Sequence, residues 1–215
     1  MHLKGNYNFQ PKGLKSNEGW YSRGYLPHFD GGEIAQFITF RLFDSMPQHL
    51  LEKWRLEITD EASQIEFRKK IERFLDAGYG SCFLARHDIA ELVQKTLIFH
   101  QGKKYRLVAW VIMPNHVHIL LIPLPEIELS KIMHSIKSYT SHEANKLLGR
   151  KGQFWQPESF DRYIRNSEHF SSVRRYIENN PVKARLCERA EDWLYSSANG
   201  GNRSRCPEAR IEKER

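Results

Sequence analysis

The chain has 215 residues, 40% of them hydrophobic, which is enough to build a core and excludes a wholly disordered polymer. Its longest apolar runs, LVAWVIMP and HILLIPL, fall far short of the roughly 20 residues a membrane helix needs. Lys and Arg (33) outnumber Asp and Glu (26), and the net charge of +7 favours a polyanionic partner, because neutralising phosphates supplies most sequence-independent nucleic-acid affinity.

In chain order, residues 1–33 mix Gly, Pro, Asn and Lys with isolated aromatics and end on Gly31-Gly32, which predicts an irregular arm. IAQFITFRLF (34–43) is β-branched and aromatic and predicts a strand. Pro47 opens a helical region in which Leu50, Leu51 and Trp54 share one face. Phe67, Ile71, Phe74 and Leu75 form a second stripe, stopped by Gly78 and Gly80. A further helix is expected near 88–99, built on Ile89, Leu92, Val93, Thr96 and Leu97. YRLVAWVIM (105–113) and HVHILLI (116–122) read as strands joined tightly through Pro114-Asn115. An amphipathic helix follows, with Leu129, Ile132, Met133, Ile136 and Leu147 on one side. The stretch KGQFWQPESFDRYIRN then holds a short strand near 159–165, and a last helix over 167–179 stops at Asn180-Pro181. This order predicts an α+β chain with a ferredoxin-like antiparallel sheet and a helix appended, the 45–80 region being an insertion. The expected organisation is an arm at 1–33, a folded domain at 34–197 and a polar tail at 198–215. The three cysteines, Cys82, Cys187 and Cys206, form no C-x-x-C pair. An odd count with no apolar leader at the N-terminus leads us to expect a reducing, cytoplasmic setting.

The chemistry-bearing feature is His116-Val117-His118. Strand side chains alternate, so the two imidazoles share a face and can reach one divalent ion if a third ligand arrives from elsewhere. On the last helix, Tyr176 sits at the edge of the Phe170, Val173, Ile177 stripe, and Asn180 lies one turn below it on the same edge. Tyr139 and Tyr163 compete with Tyr176 as nucleophiles, and the residues alone do not choose. No H-E-x-x-H, G-x-S-x-G, phosphate-loop or zinc-deaminase pattern occurs.

VIMPNHVHILL resembles the His-hydrophobic-His signature of the HUH single-strand endonucleases. With GYLPHFD, FWQPESFDRYIRN and YIENNPVKA, the stretch from about Arg23 to Ser197 resembles REP-associated tyrosine transposases, relatives of the single-tyrosine transposases. The resemblance implies metal binding (Mg²⁺ or Mn²⁺) by His116 and His118, completed by Asn180, and a nucleophile at Tyr176. It implies DNA hairpins with a single-stranded flank as substrate, a 5′-phosphotyrosine intermediate, and a nucleoid-associated place in the cytoplasm. The 34–197 domain becomes the catalytic domain and the last helix its catalytic helix. For DNA binding, Trp155 offers a ring for base stacking, Arg162 and Arg165 track phosphates, and Arg174, Arg175 and Lys183 flank Tyr176. The same motifs serve a monomer or a homodimer. Two other readings compete: a hairpin-binding protein without catalysis, and an unrelated metalloenzyme built on the H-x-H pair.

Overall fold

A computed structural model describes residues 33–203 together with two short strands, β1 (Trp20–Ser22) and β2 (Pro27–Phe29). These two pair antiparallel, so the predicted arm contains a hairpin; the rest of 1–32 and the tail past 203, with Cys206, lie outside the described residues. The main sheet comprises β3 (Gln36–Arg41), β4 (Tyr105–Ile112), β5 (His116–Pro123) and β6 (Phe160–Tyr163), in the order β4-β5-β3-β6 with antiparallel neighbours. That is the ferredoxin-like order expected from the sequence. β4 and β5 form a hairpin whose two-residue loop is Pro114-Asn115, closed by Met113 N–H donating to the His116 carbonyl at 2.9 Å.

Five longer helices clothe the sheet: α1 (Gln48–Leu56), α2 (Glu61–Asp76), α3 (His87–His100), α4 (Leu129–Leu147) and α5 (Ser167–Lys183). Local chemistry sets their ends. Asp60 and Ser63 form a reciprocal capping box that starts α2, and Gly78, at φ +74°, follows its last turn. The Asn166 side chain accepts from the His169 N–H at 2.8 Å and starts α5.

The sheet buries a different set of side chains on each face. Ile38, Phe40, Trp110, Val117, Ile119 and Leu121 pack against α3 and α4, where Ile89, Val93, Leu97, Ile132 and Ile136 are also buried. Each fully buried aliphatic of this kind contributes about 1.5–3 kcal/mol. Phe37, Val111, Leu120 and Ile122 pack against Phe170, Val173 and Ile177 of α5 on the opposite face. The insertion helices have their own small core, Met46, Phe67, Ile71 and Leu75, against which Phe160 of β6 rests. The outer edge of β4 is covered by the chain near Ser196, where Ser197 N–H donates to the Trp110 carbonyl at 2.8 Å; Ala198 is buried there, at the first residue of the expected tail.

Two expectations need correcting. α5 runs through Pro181 to Lys183 instead of ending before it. Proline's fixed φ suits a helix, and its missing N–H costs only one hydrogen bond near the terminus. Past its last residue the chain turns at Arg185, in the left-handed region (φ +59°), and Leu186 N–H donates back to the Pro181 carbonyl. Leu147 is 49% exposed, and Thr140 and Ala144 take the inward positions of that part of α4. Among the described residues no helix is long and apolar enough to cross a membrane.

Candidate active site

β5 carries both histidines on the face covered by α5. His118 lies opposite Thr39 of β3 and His116 opposite Arg41. Both imidazoles are buried, and their Nε2 atoms converge to 3.1 Å. Each ring is held from behind. His118 Nδ1 meets Thr39 Oγ1 at 2.7 Å, and His116 Nδ1 meets Asn115 Oδ1 at 2.7 Å. Asn115 donates its amide N–H₂ to the Tyr79 carbonyl at 2.9 Å, which orients the amide so that an acceptor faces His116. His116 therefore carries its hydrogen on Nδ1 and presents a lone pair at Nε2. Thr39 allows His118 either tautomer: as donor it leaves Nε2–H pointing at His116, and as acceptor it leaves a second lone pair beside the first.

Burial, reinforced by the Lys183 charge, lowers the His116 pKa to about 3, and burial with the neighbouring positive charges takes His118 well below 6.5. Both rings are neutral at neutral pH, the form that ligates metals. Neighbouring positions on an octahedral ion with bonds of about 2.1 Å stand about 3 Å apart, which the Nε2 pair matches. Ring nitrogens anchored by hydrogen bonds on their far side are the usual outer shell of a metal site. No third His, Cys, Asp or Glu joins the pair among the described residues. Asn180 is fully buried on α5, and neither its Oδ1 nor its Nδ2 has a partner. An orphaned buried amide on the helix that covers the histidine face is an oxygen that could complete such a pair, and the chemistry of the three side chains is compatible with a divalent ion.

Tyr176 stands one turn above Asn180. Its ring lies 5.5 Å from that of His118 and edge-on to Phe37 at 5.8 Å, while Phe37 stacks on His118 at 5.4 Å. The Tyr176 hydroxyl is buried without a partner. Its pKa is pushed up, first by burial and then by Glu72 and Asp76 of α2, with Arg162 opposing. Glu72 comes near without reaching hydrogen-bonding geometry, and its own pKa is raised by burial against the pull of Lys183 and Arg162. Lys183 pairs with Asp76 at 2.9 Å, its ammonium 5.3 Å from the centre of the Tyr176 ring.

The other expected residues divide. Arg162 is on the histidine face, its guanidinium 5.0 Å from the Phe37 ring. Arg165 and Arg175 are exposed, and Arg174 pairs with Glu178 at 3.4 Å. Trp155 is a correction: it is 4% exposed, donates its indole N–H to Thr140 Oγ1, and packs edge-on with Phe40 and Phe154, so neither ring face is open to a base. Tyr139 is exposed on α4, across the sheet from the histidines, and Tyr163 follows the alternation of β6 to that same side. Thr39, Asn115, Glu72 and Asp76 were not expected at the site. Strand parity opposite His118 marks Thr39, and Asn115 sits inside the quoted M-P-N-H-V-H block. Nothing local marks the two carboxylates of α2, which arrive by tertiary packing.

Residues 83–180 match the family model described as IS200-like transposases, so the expected resemblance is borne out over the stretch that holds both histidines, Tyr176 and Asn180. A REP-associated tyrosine transposase of Escherichia coli (strain K12) is 30% identical over 98 residues, 45% of this chain and 56% of that protein. A second relative, from Haemophilus influenzae, is 30% identical over 104 residues, 58% of its length, so the chain spans little more than half of either. Among solved structures, a REP-associated tyrosine transposase bound to a REP hairpin is 20% identical with a TM-score of 0.49, covering 82% of this chain and 81% of that one.

Proposed function

We propose that this chain is a metal-dependent single-strand DNA endonuclease and strand transferase acting on DNA hairpins, with Tyr176 as nucleophile. The observation that carries the reading is the Tyr176 ring 5.5 Å from His118, beside two converging imidazole nitrogens and the orphaned Asn180 amide. His116, His118 and Asn180 would hold Mg²⁺ or Mn²⁺, which supplies charge stabilisation at the scissile phosphate. Two nitrogen ligands suit Mn²⁺ better than the harder Mg²⁺. Tyr176 Oη attacks phosphorus, the P–O3′ bond breaks, and the phenolic proton is carried to the leaving oxygen. The products are a 5′-phosphotyrosine and a free 3′-hydroxyl, and a second 3′-hydroxyl reverses the step on a new strand with no external energy source. Lys183 and Arg162 flank the tyrosine as the cations for neighbouring phosphates.

A second reading, hairpin binding with weak or no catalysis, draws support from the buried Tyr176 hydroxyl and the carboxylates that hold its proton on. A covalent-adduct assay separates the two: 3′-labelled hairpin DNA flanking the chain's own gene is incubated with the protein and Mn²⁺, then run on a denaturing gel. A labelled band at protein mass, absent with EDTA and in Tyr176→Phe, is the expected result. A band that survives in Tyr176→Phe and vanishes in Tyr139→Phe moves the nucleophile. Tight binding with no band establishes the second reading.

A further inference from the structure

Next to the histidine pair, and unused by the chemistry above, is a cavity of about 330 Å³ between α1, α2 and the 153–158 loop. Its floor is Arg41, which lies directly opposite His116 across the β3–β5 ladder. Arg41 is 3% exposed, its guanidinium 5.4 Å from the Phe160 ring centre, and its Nε–H has no partner. A buried guanidinium with a free Nε–H is an unfinished fork, because Nε and one Nη together form the edge that grips two oxygens of a phosphate or carboxylate. From the other side of the loop, the largely buried Lys137 ammonium donates to the Gln156 and Pro157 carbonyls. Glu158 is the carboxylate that opposes both cations, so the loop sits between the buried Arg41, the partly buried Lys137 and one negative charge. Burial lowers both cations, Arg41 to about 10 and Lys137 to about 8, with Glu158 opposing the shift at each. Arg55 and Gln48 of α1 stand at the exposed mouth, and Glu52 on the same helix confines a negative ligand to the Arg41 side.

We infer that this cavity is a phosphate subsite, in which Arg41 grips a backbone phosphate of the single-stranded flank next to the scissile one. The inference rests on the reading of the chain as a DNA-processing protein; its chemistry, a tetrahedral oxyanion on a guanidinium fork, does not.

The test uses the full chain and a fluorescent hairpin whose flank phosphates are replaced, one at a time, by neutral methylphosphonate. With wild-type protein, one position weakens binding about tenfold. Arg41→Gln weakens binding of unmodified DNA by a similar factor, becomes insensitive to that one position, and lowers the salt slope by about 0.7. Losses that multiply, or an Arg41→Gln that binds as before, overturn the subsite. Inorganic phosphate supplies an arm free of DNA: it raises the wild-type melting temperature above sodium chloride of equal ionic strength, and the gain shrinks in Arg41→Gln. Arg55→Gln, exposed and safe for folding, serves if Arg41→Gln does not fold, and shows the same shrinkage. If no hairpin binds but the phosphate gain is present and depends on these arginines, the DNA reading falls and the anion site stands. If phosphate gives no gain, the site falls whatever the DNA does.

Discussion

The two faces of one sheet use burial in opposite ways. Toward α3 and α4, Ile38, Phe40, Val117, Ile119 and Leu121 bury mostly carbon; Gln36 is the buried polar side chain of β3 there, and the Trp110 indole nitrogen and Asn145 Oδ1 lack a partner. Toward α5 and α2, the same strands bury His116, His118, Thr39 and Arg41, and partnerless polar atoms gather: the Tyr176 hydroxyl, both Asn180 side-chain atoms, Arg162 Nε, Arg41 Nε and Asp76 Oδ1. Leaving a buried polar group unpaired costs roughly 1–3 kcal/mol, so such a concentration sacrifices stability. It belongs to a surface whose partners arrive with ligand, while the other face does the folding.

Mutations sharpen this contrast. The largest effect is expected at Tyr176→Phe, where adduct formation falls to background while the melting temperature holds or rises slightly, since an unpaired hydroxyl is removed. A melting temperature that drops by many degrees would mean the hydroxyl was structural. Across the sheet, Ile119→Ala is expected to cost about 3–4 kcal/mol in urea unfolding through the cavity it leaves. Its folded fraction retains metal binding; loss of both together would erase the division of labour. Thr39→Val is next: Mn²⁺ affinity by calorimetry falls about 10–100-fold because His118 loses the partner that orients it, whereas Thr39→Ser keeps it.

The pH dependence also separates the faces. The unfolded chain protonates His116 below about 6.5, and the folded chain resists until about 3. Stability from this group is therefore full above pH 6.5 and declines as the pH falls from 6.5 towards 3. Urea midpoints measured across that window should slope less in His116→Asn; an unchanged slope would remove His116 as the source. The smallest effect is expected at Asp76→Asn, which breaks the ion pair of a largely buried Asp76 with the half-exposed Lys183 and costs about 1 kcal/mol.

Legibility in the sequence followed the range of the interaction. Strand alternation placed His116 and His118 on one face, and helical spacing put Tyr176 above Asn180, because both periods are properties of the local backbone. The strand order followed from the order of elements. Trp155 looked like a stacking platform because basic residues surround it in sequence, yet its neighbours in space are Phe40, Phe154 and Thr140. Pro181 read as a stop because proline usually is one, but near a helix terminus it forfeits a single bond. Glu72 and Asp76 sit on α2, about a hundred residues before Tyr176, and only the packing of the insertion brings them to it.

Gly80 links these levels. Its backbone is at φ +91°, and a β-carbon there would stand 2.8 Å from the Asp44 carbonyl oxygen. The neighbouring Tyr79 carbonyl is what holds the Asn115 amide in its orientation, and that amide decides which nitrogen of His116 keeps the hydrogen. A single methyl group at the exit of the insertion would thus be read out, three contacts away, as a rotated amide and a misplaced proton: here the address of one hydrogen atom is written in the absence of a side chain.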